Sequence, residues 1–154
     1  MQLSEFLDFD AIKSSLPGGN KRSLLQQLAQ LAAQRLGVAS APVLASLTER
    51  EKLGSTGFGQ GVAIPHGKVE GLDRIHAYFA RLAEPIDYKA IDGAPVDLVF
   101  LLLSPPDAGA EHLKALAAIS RVTRHAPTLD QMRGARSRDA LAAVLIGADE
   151  RDAA

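Results

Sequence analysis

The sequence predicts an α/β fold, a mixed sheet flanked by helices on both faces. Three observations carry this. Leucines and alanines recur at helical spacing near both ends of the chain. Val96 to Leu103 reads Val-Asp-Leu-Val-Phe-Leu-Leu-Leu, the nearly continuous apolar run of a central strand covered on both sides. Helical and strand-like stretches alternate between them.

The first residues look short-helical or irregular and end in a turn at Leu16-Pro17-Gly18-Gly19-Asn20. A helix follows, with Leu24, Leu28 and Leu31 beside Leu25, Ala29, Ala32 and Leu36. Ser23 is a candidate cap and Gly37 a stop. Pro42 suits the first turn of a second helix that runs to about Leu53, before Gly54. From Gly54 to Gly71 six glycines surround Val62-Ala63-Ile64-Pro65, which predicts short strand pieces joined by tight loops. Ile75 to Ala83 alternates as a strand, with Ile75, Ala77 and Phe79 on one face and His76, Tyr78 and Leu82 on the other. Pro85 to Gly93 is rich in turn residues. After the central strand, helix resumes from about Ala110 to His125, closed by Pro127, with a brief helix near Leu129 to Met132. A last helix uses Leu141, Val144 and Leu145, and the residues after about Gly147 read as a frayed tail.

The 154 residues suit one domain spanning 1–154 with one sizeable core. The net charge of −1 argues against nucleic-acid binding and against a membrane-surface role. The sequence has no cysteine, which excludes disulfides, thiolate nucleophiles and cysteine-ligated zinc. Residues 1–10 carry three acidic and no basic side chains, unlike a signal peptide, and no apolar run approaches the ~20 residues of a membrane span. The expected location is the cytoplasm.

The chemistry centres on His66. It stands between Pro65 and Gly67 beyond a glycine-rich approach, so little side-chain bulk from its neighbours surrounds it. This predicts a ring open to solvent and to a large partner. An imidazole near neutral pH is partly unprotonated and nucleophilic, and it can take a phosphoryl group as a labile N–P bond and pass it on. A loop histidine without a role is the plain alternative. Four histidines without metal-ligand spacing make no zinc site, so neither metal nor cofactor is expected. Gly54-Ser55-Thr56-Gly57-Phe58-Gly59 lacks the closing Gly-Lys-Ser/Thr of a P-loop, and Gly57-x-Gly59-x-Gly61 does not lead from a strand into a helix.

Arg50-Glu51-Lys52-Leu53-Gly54-Ser55-Thr56-Gly57 and Gly61-Val62-Ala63-Ile64-Pro65-His66-Gly67-Lys68 together resemble the active-site segment of phosphotransferase-system IIA domains of the mannitol/fructose class. The stand-alone nitrogen-regulatory IIA proteins are the nearest type. The likeness continues in Asp92-Gly93-Ala94-Pro95-Val96-Asp97 and in Glu111-His112-Leu113-Lys114-Ala115-Leu116, and covers about residues 4 to 146. It implies a mixed sheet of about five strands and phosphorylation of His66 on Nε2. An HPr-like carrier would be the donor.

The resemblance also places Arg50 near the phosphohistidine. A guanidinium fits a phosphoryl group bidentately, although a surface arginine pairing with Glu49 or Glu51 is the alternative. His112 matches the family's second histidine. It would lie in the first turn of its helix, to bind phosphate or fix the tautomer of His66, unless it is only a partly buried residue on the row of Ala115, Ile119 and Val122. Ser55 and Thr56 either donate to phosphate or cap local turns. Gly67 is a candidate to lend its amide to the site, and Lys68 reads as solvated. His76 and His125 read as structural or solvated.

Two functions follow, beside a third reading, a pure interaction module that has lost phosphotransfer, against which the intact His66, Arg50 and His112 argue. The leading one is a regulatory phosphocarrier whose phosphorylation state decides which proteins it binds, of the sensor-kinase or potassium-transporter type. The other is a phosphohistidine phosphotransferase in sugar uptake, passing phosphate from His66 to a IIB domain.

Overall fold

The computed structural model describes residues 1–153. Two 3-10 turns, Leu3–Glu5 and Phe9–Ala11, precede strand β1 (Lys13–Leu16). Helices α1 (Lys21–Leu36) and α2 (Ser40–Lys52) follow, then the short strands β2 (Gly57–Gly59), β3 (Val62–Ala63) and β4 (His66–Lys68). Strands β5 (His76–Ile86) and β6 (Val96–Ser104) lead to helices α3 (Ala110–Thr123), α4 (Ala126–Gly134) and α5 (Arg138–Ala153).

The six strands form one mixed sheet in the order β1-β5-β6-β3-β2, with β4 also paired to β6. Strand β6 is its spine. It runs antiparallel to β5 and parallel to both β3 and β4. From Leu98 onward its apolar residues divide by parity. Leu98, Phe100 and Leu102 face one core layer with Ile119, Leu141 and Leu145. Val99, Leu101 and Leu103 face the other with Leu24, Leu28, Val43 and Leu47. A side chain buried in this way stabilises by about 1.5–3 kcal/mol, so the spine anchors both layers. Helices therefore cover both faces, as the apolar run predicts. Phe79 and Phe100 pair across β5 and β6 with ring centroids 4.8 Å apart.

The helix ends follow local chemistry. Asn20, not Ser23, caps α1, its side chain accepting the Ser23 amide at 2.8 Å. Gly37 ends the helix at φ +68°, a left-handed value that glycine adopts without a Cβ clash.

Several expectations need correction. Lys13–Leu16 is a strand paired in parallel with β5, not an irregular lead-in. Pro127 does not close α3. It lies in the first turn of α4, where its missing N–H costs no helical bond, and α4 is longer than the brief helix expected. The residues after Gly147 are not frayed, because α5 continues to Ala153. Ala148 and Asp149 are buried, and the Asp149 carboxylate accepts the Leu3 amide at 2.6 Å and the Ser4 amide at 3.1 Å. The carboxylate so answers two free amides at the start of the first 3-10 turn. Residue 154 lies outside the described residues.

Asp149→Ala leaves those two amides without their acceptor and is expected to lower stability by about 1–3 kcal/mol, read from the urea midpoint. An unchanged midpoint would show that this end of α5 holds nothing.

Candidate functional site

The site lies where β6 ends. Strands β3 and β4 both pair with β6, and Ile64-Pro65 bridges them. Leu102 N–H donates to the Pro65 carbonyl at 3.0 Å, which ties the bridge to the spine. His66 opens β4 opposite Leu102. Its Nδ1 lies 2.7 Å from the Ile64 carbonyl. A carbonyl only accepts, so Nδ1 carries the proton and donates. The lone pair then resides on Nε2, the nitrogen to which Arg50 Nε donates at 3.2 Å.

Arg50 stands in the last turn of α2, and its Nη1 donates to the Gly54 carbonyl at 2.8 Å. No carboxylate of the described residues pairs with it. The surface ion pair with Glu49 or Glu51 does not form, and the cation is left facing the imidazole. His112 lies in the first turn of α3, as predicted. Its ring centroid is 5.3 Å from that of His66, the planes tilted by 54°. Its Nδ1 is 2.6 Å from Ser104 Oγ, at the end of β6. The site therefore brings together His66, Arg50 and His112.

The expected open ring is not found. His66 retains only 9 % exposure, as does His112. Arg50, the Ile64 carbonyl and the His112 ring surround it. Burial pushes the His66 pKa down and the Arg50 charge lowers it further, against the Ile64 hydrogen bond and the Glu51 charge, which raise it. Burial, with His66 and Lys68 nearby, brings His112 down to about 4. Both rings are neutral at pH 7.

The expected phosphate ligands on the glycine-rich side serve other ends. Thr56 is fully buried. Its hydroxyl bonds the Glu51 carboxylate and the Tyr88 hydroxyl, and its amide donates to Glu51. Ser55 Oγ accepts the Gly57 amide at 3.0 Å, a local turn cap. Gly67 is required by packing. A Cβ there would collide with Ser46 Oγ and lie 3.1 Å from Ser46 Cβ and 3.3 Å from its carbonyl carbon. Its amide belongs to the β4–β6 ladder. Thr56 and Gly67 are therefore parts of the frame and not free donors. Lys68 is exposed, as expected. His76 lies on β5 and His125 precedes α4, with its Nδ1 2.8 Å from Thr128 Oγ1.

Sequence reasoning misses three supporting residues. Glu51, next to Arg50, turns away from the site. Its carboxylate meets Lys21 Nζ at 2.8 Å and the Tyr88 hydroxyl at 2.9 Å. Lys21 also lies 4.4 Å from the centroid of the Tyr88 ring. Burial pushes Glu51 up, but the bonds from Lys21, Thr56 and Tyr88 outweigh it and hold the carboxyl below its usual range. Tyr88 and Ser104 gave no signal, since their partners stand 37 and 8 residues away in the chain.

The site is thus a neutral histidine beside the end of the central strand, flanked by an arginine without a carboxylate partner and by a second imidazole. It has no metal cluster among the described residues. A family model described as the phosphoenolpyruvate-dependent sugar phosphotransferase system, EIIA 2, matches residues 5–147. The chain belongs to this family. It is 46% identical over 145 residues to a nitrogen regulatory protein of Bradyrhizobium diazoefficiens, covering 94% of this chain and 95% of that one. A nitrogen regulatory protein of Pseudomonas aeruginosa is 41% identical over 133 residues, covering 86% of each. The crystal structure of nitrogen regulatory protein IIA-Ntr from Neisseria meningitidis superposes with a TM-score of 0.86 at 35% identity, over 93% of this chain and 98% of that one.

Two expected outcomes test this geometry. Gly67→Ala should cost about 1–3 kcal/mol, and Ser46→Ala added to it should recover part of the loss. Strict additivity of the two changes in denaturant midpoints would refute the contact. The second concerns acid. The unfolded chain protonates histidine near pH 6.5, whereas folded His112 does so only near 4. Its contribution is complete above 6.5 and is lost as the pH falls toward 4, with His66 and His76 acting in the same direction. Melting temperature should fall across that window, and less steeply in His112→Asn.

Proposed function

We propose that this chain is a phosphocarrier of a nitrogen-type phosphotransferase system, which accepts a phosphoryl group from an HPr-like protein on His66 Nε2. One observation carries the reading. His66 is held with its Nδ1 proton on the Ile64 carbonyl at 2.7 Å, so its lone pair meets an unpaired arginine at 3.2 Å.

The step needs no cofactor. The Nε2 lone pair forms the new N–P bond as the donor's own N–P bond breaks, and its electrons return to the donor ring. The acceptor ring gains positive charge, which the Ile64 carbonyl stabilises through Nδ1–H. Arg50 leaves the nitrogen for the phosphoryl oxygens, where its fork offsets their charge. His112 stands beside the same oxygens. Ser55, half-buried at the edge of the loop, donates its hydroxyl to the Tyr88 carbonyl at 3.4 Å and would have to leave it to serve as a second donor.

The donor of this reading is a protein. Leu53 and Leu113 are 84% and 67% exposed and stand next in sequence to the segments that carry Arg50 and His112. Exposed leucines beside a shallow reactive centre suit the apolar core of a docking face.

The regulatory role rests on the nitrogen regulatory relatives. A phosphoryl group adds about 1.5 to 2 negative charges in the middle of the contact face, enough to change which protein binds. Sensor-kinase or potassium-transporter targets are the partners of this reading. The cytoplasm is its location, and residues 1–154 act as one domain. No helix of the described residues is long and apolar enough to cross a membrane. The family description names a sugar phosphotransferase system, and in the second reading the group would pass to a IIB domain.

Incubation with enzyme I, an HPr-type carrier and labelled phosphoenolpyruvate should label the chain. His66→Ala should abolish the label, and Arg50→Ala should slow it about a hundredfold. Labelling of wild type should persist below pH 6.5, where a free imidazole is already half protonated. Label that survives His66→Ala sinks the proposal. Rapid passage of label to a IIB domain would favour the sugar role.

A further inference from the structure

We propose that Ser104 is a positioning residue that holds His112 as its Nε2–H tautomer, opposite to the tautomer of His66. One buried proton decides the tautomer. Ser104 is fully buried, and its hydroxyl has one partner among the described residues, His112 Nδ1 at 2.6 Å. Two arrangements fit that distance. If Nδ1–H donates to the hydroxyl, the hydroxyl's own hydrogen has no acceptor and stands buried and unpaired. If the hydroxyl donates to Nδ1, only spare oxygen lone pairs go unused. An orphan buried donor costs about 1–3 kcal/mol, and an oxygen with one bond made costs much less. The hydroxyl therefore donates, Nδ1 accepts, and the proton of the neutral ring sits on Nε2.

His66 is the reverse case. The Ile64 carbonyl has no proton to give, so Nδ1 of that ring must carry one. The two imidazoles, 5.3 Å apart, are held in opposite tautomers by two different partners, a carbonyl and a hydroxyl. One presents a lone pair on Nε2 and the other an N–H. With Nδ1 turned to Ser104, Nε2 is the only nitrogen His112 can offer to a group on His66. For the phosphocarrier reading, on which the functional consequence rests, this difference decides the sign of the interaction. An N–H attracts phosphoryl oxygens, and a lone pair repels them.

The placement follows from the fold. Ser104 is the last residue of β6, whose register with β4 puts Lys68 opposite it and His66 opposite Leu102. The loop after Ser104 leads into α3 and to His112 within its first turn. One strand end so fixes both rings.

The direct test needs no variant of Ser104. Long-range proton–nitrogen correlation NMR of the full chain at pH 7, with His112 assigned through His112→Gln, reads the tautomer of each ring. The expected pattern is a bare Nδ1 and protonated Nε2 for His112, and the reverse for His66. A protonated Nδ1 on His112, or an average of both forms, overturns the assignment. The result is independent of phosphate transfer, so it stands or falls even if the chain is never labelled. In the labelling assay Ser104→Ala should slow acceptance by about tenfold, while Ser104→Thr, which keeps the hydroxyl, should stay within about twofold. An unslowed Ser104→Ala, or an equal loss in Ser104→Thr, would mean that Ser104 acts only through packing and would refute the proposal.

Discussion

The site depends on a hydrogen bond between residues two apart, from His66 Nδ1 to the Ile64 carbonyl. Such a bond needs the backbone to leave the sheet between β3 and β4 and return at once. Pro65 makes that step possible, since it has no N–H to leave unpaired and its carbonyl is taken by Leu102. Strand β6 holds the chain on both sides of the step, through Val62 and Ala63 before it and His66 to Lys68 after it. The proton position on His66 is therefore a property of the central strand, anchored in both core layers. Everything chemical follows from it, because a proton moved to Nε2 would leave neither a nucleophile nor an acceptor for Arg50.

The charges around the ring are sorted by two adjacent residues of α2. Glu51 spends its charge in a buried network with Lys21, Thr56 and Tyr88. Arg50 keeps its own, with only the Gly54 carbonyl and the imidazole as partners. Had the two paired with each other, the site would be neutral and the loop from Leu53 to Thr56 would lose an anchor. Instead that loop is held at Gly54 by Arg50 and at Thr56 by Glu51. The helix end thus aims a cation and fixes the loop that helps hold it. The cation also lowers the proton affinity of His66, which keeps the lone pair available.

Much of this was legible in the sequence, and the limits are physical. The nearly continuous apolar run from Val96 to Leu103 implied a strand buried on both faces because side-chain direction has a period of two. The matched blocks located His66, Arg50 and His112. Strand β1 escaped because Lys-Ser-Ser-Leu is half exposed and shows no apolar alternation. Its order comes from pairing with β5, a partner more than sixty residues away. The tail after Gly147 looked loose because Ala148 and Asp149 are small or charged, and the amides that Asp149 accepts lie at the other end of the chain. Thr56 illustrates the same limit inside the site. A threonine hydroxyl beside a glycine can bind phosphate or hold a loop, and the groups that decide are Glu51 and Tyr88, the latter 32 residues away.

The covering of His66 gains sense from the same arrangement. On the phosphocarrier reading, a phosphoryl group on a ring bare to solvent would be exposed to hydrolysis. Here the groups over the ring are the ones that can bind phosphoryl oxygens. Arg50 sits on the lone pair as an incoming phosphorus atom would, and His112 stands alongside. The flanks contributed by Pro65 and Gly67 predict an open ring because they describe only the chain neighbours. The covering groups come from α2 and α3, brought to the end of β6 by the packing of each helix layer. On the phosphocarrier reading, the cation displaced from Nε2 is the group that then grips the incoming anion.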